Sequence, residues 1–159
     1  MVGRWDELAW QSVRERPRPS SPPRGVAEGG RPRDFGELEQ LMRSGESLEE
    51  AFEQWLQEFY CYLDPSFLAV APSEFYSAGH RAWLAGVAEG LAVKFGLPVP
   101  SWTERPEFFS PQVYDWEEEW LGLFFPPMFA EQIDHRLERS DPEFRRRNVI
   151  GKLRTLTRV

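Results

Sequence analysis

The chain has 159 residues, a formal net charge of −7 and one cysteine, Cys61, which excludes an internal disulfide and is typical of a reducing compartment. No apolar run approaches the roughly 20 residues that span a bilayer, and the first ten residues lack the apolar core of a signal peptide. We therefore expect a soluble, cytoplasmic protein without a membrane segment, which folds as one domain around an aromatic-rich core.

The charge is distributed unevenly along the chain. Residues 1–33 carry seven arginines and four acidic residues, which gives a net charge of +3. Residues 34–140 carry a net charge of −14, and residues 141–159 carry a net charge of +4. Nucleic-acid binding draws most of its affinity from basic surfaces, so this acidic body disfavours it except through the basic leader.

The first 33 residues are predicted to form a flexible, basic leader. Residues 3–13 have the spacing of a short helix, with Trp5, Leu8 and Ala9 on one side. The following stretch, RPRPSSPPRGVAEGGRPRD, is rich in proline, glycine and arginine and has no apolar repeat, which is typical of a linker. Two interpretations stay open: a solvated leader, or an arm that becomes ordered when it binds a partner.

Residues 34–159 are predicted to form an all-α domain of about five helices with aromatic, proline-rich connectors. Asp34 is expected to cap the first helix of this domain, and Ser47 with Glu50 forms a capping box for the second. The apolar residues of the second helix recur at the spacing of one helical face. They are Leu48, Ala51, Phe52, Trp55, Leu56, Phe59 and Tyr60.

A further helix is predicted over residues 77–96. Gly86 and Gly90 lie four residues apart in it and are expected to let another backbone approach closely, since each glycine weakens a helix by about 1 kcal/mol. Gly96 is a natural C-terminal cap. The sequences DWEEEWLGLFF (115–125) and MFAEQIDHRLER (128–139) then predict two more helices.

The last predicted helix starts in SDPEFRRRNVI, residues 140–150. Ser140 with Glu143 is interpreted as a second capping box, and proline is harmless at position 142 in the first helical turn. Asn148 is expected to end the helix in a left-handed conformation. The residues after it, Val149 and Ile150, are expected to be extended.

No metal site or cofactor is predicted. The histidines His80 and His135 and the single Cys61 lack the spacing of zinc ligands. A reactive thiolate needs a nearby positive charge or a helix N-terminus, and Cys61 is expected at a helix C-terminus, so we interpret it as buried and inert. Neither a GxSxG motif nor a phosphate-binding glycine loop is present in the sequence.

The acidic run Asp115, Glu117, Glu118 and Glu119 is interpreted as a solvated helix start. The alternative is a small enzyme, in which these carboxylates would work beside an arginine that anchors an anionic substrate. That hypothesis requires a concave pocket joining Arg146 or Arg147 to Glu118 or Glu119.

Aromatic side chains and arginines are the candidate contacts for a protein partner. Trp102, Phe108 and Phe109 belong to a connector that is expected to line a surface groove. Arg145, Arg146 and Arg147 should spread over roughly 200° of a helix, so they cannot form one flat phosphate-binding row. Phe144 should point inward, and at least one arginine should pair with carboxylates of its own domain.

Three fragments, taken in order, resemble an uncharacterised bacterial helical domain. They are SLEEAFEQWLQEFY, AWLAGVAEGLAVKFGLPVPSW and SDPEFRRRNVI, and the resemblance covers about residues 45–158. That domain is often found behind a helix-turn-helix in regulators of antitoxin type. The first 33 residues here are too few and too rich in proline for a helix-turn-helix, so direct operator binding is not implied. The resemblance implies a domain that binds a cognate protein, and it supplies no catalytic residue.

The function predicted from the sequence is a non-catalytic, antitoxin-like module that binds a cognate protein. Its candidate contacts are Arg145, Arg146, Arg147, Trp102, Phe108 and Phe109. The alternatives are the small enzyme described above and a nucleic-acid-linked regulator that acts through the basic leader.

Overall fold

The structure, a computed structural model, describes residues 3–115 and 130–158. Within these residues the fold is mostly helical, as predicted. The α-helices are α1 Gly3–Glu15, α2 Phe35–Arg43, α3 Leu48–Tyr62, α4 Ser66–Ala69, α5 Ala78–Lys94, α6 Ala130–Glu138 and α7 Pro142–Arg145. Short 3-10 turns occupy Val26–Glu28, Ser101–Glu104, Pro106–Phe108 and Leu153–Arg158. The strands β1 Tyr114–Asp115 and β2 Val149–Ile150 pair in parallel.

The chain divides into two compact units, where the sequence predicted a single domain. The first unit contains the described residues of Met1–Ala71, Lys94–Pro98 and Arg154–Val159. The second unit contains the described residues of Pro72–Val93 and Val99–Leu153. None of the helices within 3–115 and 130–158 has both the length and the apolar character that a bilayer crossing requires.

Helices α2 and α3 form the centre of the first unit, and both begin as predicted. The Asp34 carboxylate accepts a hydrogen bond from the backbone N–H of Glu37, and the Ser47 hydroxyl accepts one from Glu50. All seven apolar residues predicted for the inner face of α3 are buried. Trp55 lies at the middle of this face, with its ring 5.4 Å from Phe52 and 5.5 Å from Phe59 between centroids.

The short helix predicted over residues 3–13 of the leader is present as α1, and it packs against other residues of the first unit. Helix α1 buries Trp10, which is 3% exposed, and also Val13 one turn later. The Trp10 ring lies 6.1 Å from Tyr60 and 5.6 Å from Phe95, edge to face in both cases. An aromatic residue and a β-branched residue three positions apart form a small apolar face, which α1 buries within the first unit.

The leader makes a second set of contacts, at Glu37 of α2. The Glu37 carboxylate accepts hydrogen bonds from the backbone N–H groups of Val26 (2.9 Å) and Arg33 (3.0 Å), and from Nε of Arg33 (2.8 Å). Gly25 has φ +77°, and a Cβ atom there would lie 2.5 Å from Arg33 Nε. Residues 25–37 therefore form a small closed loop around one carboxylate.

Helix α5 is the buried centre of the second unit, since every residue from Ala82 to Ala88 is buried. The close approach predicted at Gly86 and Gly90 occurs, but side chains make it instead of a backbone. A Cβ atom at Gly86 would lie 2.5 Å from the Phe144 ring, and one at Gly90 would lie 2.8 Å from Glu143 Oε1. Helix α7 therefore packs on α5 because these glycines leave space.

The predicted turn after α7 is confirmed. Asn148 has φ +66°, and Val149 and Ile150 form strand β2. The capping role predicted for Ser140 is wrong, because Asp141 is the residue at the N-cap position. The Ser140 hydroxyl instead donates to the carbonyl of Arg136 (2.9 Å) and accepts from the N–H of Gly151 (3.1 Å).

The helix predicted over 115–125 lies outside the described residues, apart from Asp115. The described part of the helix predicted over 128–139 is α6. Helix α4 was not predicted, because two prolines flank it and it is only four residues long.

Candidate functional site

The three consecutive arginines occupy the end of α7 and the turn that follows it. Phe144 is buried on the inner side, as predicted. The arginines then diverge: Arg145 is exposed, Arg146 is partly exposed, and Arg147 is fully buried. They therefore do not form one basic surface.

The Arg147 guanidinium is surrounded by acceptors, and its side chain is 0% exposed. Nη2 donates to the carbonyl of Thr103 (3.0 Å), and Nη1 donates to the carbonyl of Glu143 (2.6 Å) and to the Glu89 carboxylate. Burial lowers the pKa of Arg147, and the Glu89 carboxylate acts in the opposite direction. An arginine stays cationic under these conditions, so the buried group is a permanent positive charge.

Arg146 forms a second set of ion pairs beside the first. Nη2 lies 2.9 Å from Glu89 Oε2, and both terminal nitrogens contact the Glu104 carboxylate. The hydrogen bonds to Glu104 and Glu89 raise the pKa of Arg146, and Arg146 lowers the pKa of Glu104 in return. Arg146 keeps 38% of its side chain exposed, so this pair lies at the surface.

The Phe109 ring lies close to the guanidinium groups of both Arg146 and Arg147. The guanidinium carbon of Arg147 is 5.1 Å from the centroid of the Phe109 ring, and that of Arg146 is 5.6 Å away. Cations are attracted to an aromatic face at these distances. We call the set Glu89, Glu104, Phe109, Arg146 and Arg147 the arginine–carboxylate cluster.

The aromatic connector does not form the groove that the sequence predicted. Trp102 is 4% exposed and Phe108 is 1% exposed, and their rings contact each other edge to face at 4.9 Å. The two 3-10 turns at Ser101–Glu104 and Pro106–Phe108 fold the connector back and turn both rings inward. Buried rings cannot contact a partner, so Phe109 is the residue of the three that keeps accessible surface.

The predicted acidic run is described only at its first residue. Asp115 is buried and pairs with Arg136, while Glu117, Glu118 and Glu119 lie outside the described residues. The pocket that the enzyme hypothesis requires, between these glutamates and Arg146 or Arg147, therefore stays a prediction.

Two contacts of this site were missed in the sequence. Glu89 and Glu104 lie 57 and 42 positions before Arg146, and no local pattern distinguishes them from the other glutamates. Glu89 lies inside a helix with many buried residues, and Glu104 lies two residues after Trp102, and these positions could have marked them. The prediction that at least one arginine pairs with carboxylates of its own domain is confirmed for both Arg146 and Arg147.

The two histidines and the cysteine are not members of the arginine–carboxylate cluster. His80 packs edge to face against Tyr114, with ring centroids 5.5 Å apart, and His135 is exposed on α6. Cys61 is partly buried near the C-terminal end of α3. Within the described part of the chain, no group of His, Cys, Asp and Glu side chains has an arrangement that could hold a metal ion.

Comparisons with protein-family models, with curated proteins and with solved structures find no match for this chain. The geometry alone therefore defines what the cluster can do. Arg147 pairs with Glu89, and Arg146 pairs with both Glu89 and Glu104, which is a structural arrangement. Arg146 and Phe109, on the outward side of the cluster, and the exposed Arg145, which contacts the carbonyl of Glu138 instead, are the side chains that a second molecule could contact.

Proposed function

We propose that this protein is a non-catalytic interaction module that binds a cognate protein through Arg145, Arg146 and Phe109. We call these three residues the contact face. The observation that carries the proposal is the state of Arg146: two carboxylates and an aromatic ring hold it in place, yet 38% of its side chain stays exposed.

Such an arginine suits recognition because less entropy is lost when a partner immobilises it. An exposed arginine normally gives up about 0.5–1.5 kcal/mol of side-chain freedom on binding. Glu89 and Glu104 already restrain Arg146, so part of that cost is absorbed by folding. Arginine and aromatic residues are also enriched at the centres of protein interfaces.

Arg145 determines the chemistry of the partner surface that we propose. It is exposed, and its Nη1 donates to the backbone carbonyl of Glu138 (3.2 Å). Its positive charge therefore lies at the surface, one residue before Arg146 in the chain, and a partner that presents carboxylates or aromatic rings would complement both side chains. The resemblance of the three sequence fragments adds the finer proposal, that the partner is a toxin encoded with this protein.

Co-expression with the product of the neighbouring gene tests the proposal. The tagged full-length chain is expected to co-purify with that product. Arg145→Glu and Phe109→Ala should reduce the recovered partner at least tenfold. Arg16→Glu is the matched control, because Arg16 is an exposed arginine of the first unit and its reversal makes the same change in net charge.

Two results would contradict the proposal. One is the absence of any stoichiometric partner among the neighbouring products. The other is equal loss of binding in Arg145→Glu and Arg16→Glu, which would indicate non-specific dependence on charge.

A further inference from the structure

Residues 3–18 contact other residues of the first unit through aromatic rings, an ion pair and hydrogen bonds. Trp10 packs edge to face on Phe95 and Tyr60, and the Arg14 guanidinium lies 5.6 Å from the centroid of the Phe95 ring. Arg14 Nη2 also donates to the carbonyl of Lys94 (2.9 Å), whose ammonium pairs with Glu7. We call residues 3–18 the latch, and the surface formed by Tyr60, Cys61, Lys94 and Phe95 the seat.

Arg18 closes the latch at its C-terminal end. Its guanidinium donates to the carbonyls of Tyr60 (3.0 Å) and Cys61 (3.3 Å) on the seat. It also donates back to the carbonyls of Val13 (2.8 Å) and Arg14 (3.1 Å) at the end of α1. One side chain therefore both caps the helix and joins it to the seat, and the contacts of the latch end at residue 18.

The segment that follows the latch differs from it. Residues 19–24 are exposed except for the partly exposed Pro23, and the backbone bends at Ser20 and Ser21. Pro19, Pro22 and Pro23 cannot donate backbone hydrogen bonds. Beyond this hinge, the loop around Glu37 fixes the chain again from Val26 to Arg33. The leader thus consists of two anchored pieces joined by six exposed residues.

The latch, the seat and the hinge are the three parts that two copies of a protein need in order to exchange a terminal segment. Every contact between latch and seat is non-covalent, and all of them would be remade if the latch of a second copy took the same place. A proline-rich hinge favours an extended path of about 3.1 Å per residue, which straightens the bend at Ser20 and Ser21. We propose that the seat is a docking surface for the latch of a second copy of this chain, and that two copies exchange latches to form a closed dimer.

The seat itself indicates this occupant. It offers an ammonium to a glutamate, two rings to a tryptophan, and the carbonyls of Tyr60, Cys61 and Lys94 to two arginines. The latch supplies this pattern through Glu7, Trp10, Arg14 and Arg18. A foreign segment would have to present a glutamate, a tryptophan and two arginines at the same spacing. The inference does not depend on the proposed contact face, which belongs to the second unit.

Shortening the hinge tests the exchange. Deletion of residues 20–23 removes the bend and roughly 12 Å of reach, so that the latch can no longer return to its own seat but can still reach another. We expect this full-length variant to be a dimer by size-exclusion chromatography with light scattering. Adding Trp10→Ala should return it to a monomer. A folded, monomeric deletion variant would overturn the proposal.

A second experiment keeps the natural hinge, in case the deletion variant does not fold. Glu7→Cys and Lys94→Cys are made in separate chains that both carry Cys61→Ser, and the two are refolded together at high protein concentration. A short bis-maleimide should join them into a mixed dimer, several-fold more than when Gln40→Cys, at an exposed position on α2, replaces Glu7→Cys. Equal yields from the two mixtures would overturn the proposal.

Discussion

Glu37 in the first unit and Glu143 in the second are both withdrawn from solvent, yet their pKa values are shifted in opposite directions. Burial on its own raises the pKa of either carboxyl. At Glu37, hydrogen bonds from the Arg33 side chain and from the N–H groups of Val26 and Arg33 outweigh burial, and they lower the pKa. At Glu143, burial dominates, and the nearby Asp141 and Glu89 raise the pKa further.

The difference shows that nearby hydrogen-bond donors, and not burial alone, decide whether the fold stabilises the ionised or the protonated form of a carboxyl group. Glu37 has two backbone N–H groups and a guanidinium around it, so the ionised form is stabilised. Glu143 has Arg147 among its favourable neighbours, but that cation is shared with Glu89 and Thr103. One glutamate is therefore a structural anchor in its charged form, while the other is destabilising when charged.

Among the substitutions that we consider, removal of the Arg147 guanidinium should lower the free energy of unfolding most. Arg147→Met leaves the Thr103 carbonyl unpaired and takes a positive charge away from Glu89 and Glu143. We expect the free energy of unfolding to fall by about 3 kcal/mol, at the lower end for a broken buried pair because Arg146 still contacts Glu89. Urea unfolding measures this change.

The exposed Arg145→Met is the matched control for that variant. It is expected to stay within about 0.5 kcal/mol of the parent protein. Equal losses in the two variants would mean that Arg147 stabilises the fold through net charge, and not through its buried contacts.

Glu37→Gln should have the next largest effect. The amide keeps the shape of the side chain but loses the charge that three donors require, which should destabilise the protein by about 1.5–3 kcal/mol. Amide hydrogen exchange of Val26 and Arg33 should accelerate at the same time. Glu49→Gln, at an exposed position of α3, is the control and should leave the exchange of both amides unchanged.

The pH dependence of the two glutamates should differ in sign. The pKa of Glu37 is lowered by folding, so its contribution is complete above the unfolded value of about 4.3 and is lost as the pH falls through the folded value. The pKa of Glu143 is raised, so its contribution is complete below about 4.3 and is lost as the pH rises through the folded value.

Unfolding free energies between acidic and neutral pH, compared among the parent, Glu37→Gln and Glu143→Gln, check these signs. The advantage of the parent over Glu37→Gln should shrink as the solution is acidified. Glu143→Gln should be as stable as the parent or more stable at neutral pH. Parallel curves for the two variants would contradict the opposite shifts.

Arg33→Met should have the smallest effect. Arg33 pairs with Glu37 at 2.8 Å, but nearly half of its side chain is exposed, and exposed ion pairs contribute about 0.2–1 kcal/mol. The two backbone donors should keep most of the Glu37 anchor intact. A loss as large as that of Glu37→Gln would show that the guanidinium, and not the backbone, stabilises the carboxylate.

Local signals in the sequence predicted the elements that local forces form. The caps at Asp34 and Ser47, the apolar face of α3, proline at position 142 and the left-handed Asn148 all depend on residues within about one helical turn. The prediction at Ser140 failed for the opposite reason. Its hydroxyl bonds instead to Arg136 and Gly151, and Gly151 follows strand β2, eleven positions away in the chain.

The leader was predicted to be flexible because its middle is rich in proline and glycine. Residues 19–24 are indeed rich in proline and mostly exposed. Composition alone does not reveal that the segments on either side, residues 3–18 and 26–33, make contacts within the first unit. Trp10 and Val13 are too few to reveal a buried face by periodicity alone. Arg18 and Glu37 act through partners that lie 42 and 11 positions away in the chain.

The sequence by itself determined a mostly helical protein and the starts of its central helices, because these follow from the apolar spacing and the capping of each helix. Only the tertiary structure decided that Arg147 is the buried one, that Trp102 and Phe108 face inward, and that Trp10 has a seat. These ion pairs and ring contacts join residues that are far apart in the sequence, so they depend on how the whole chain folds.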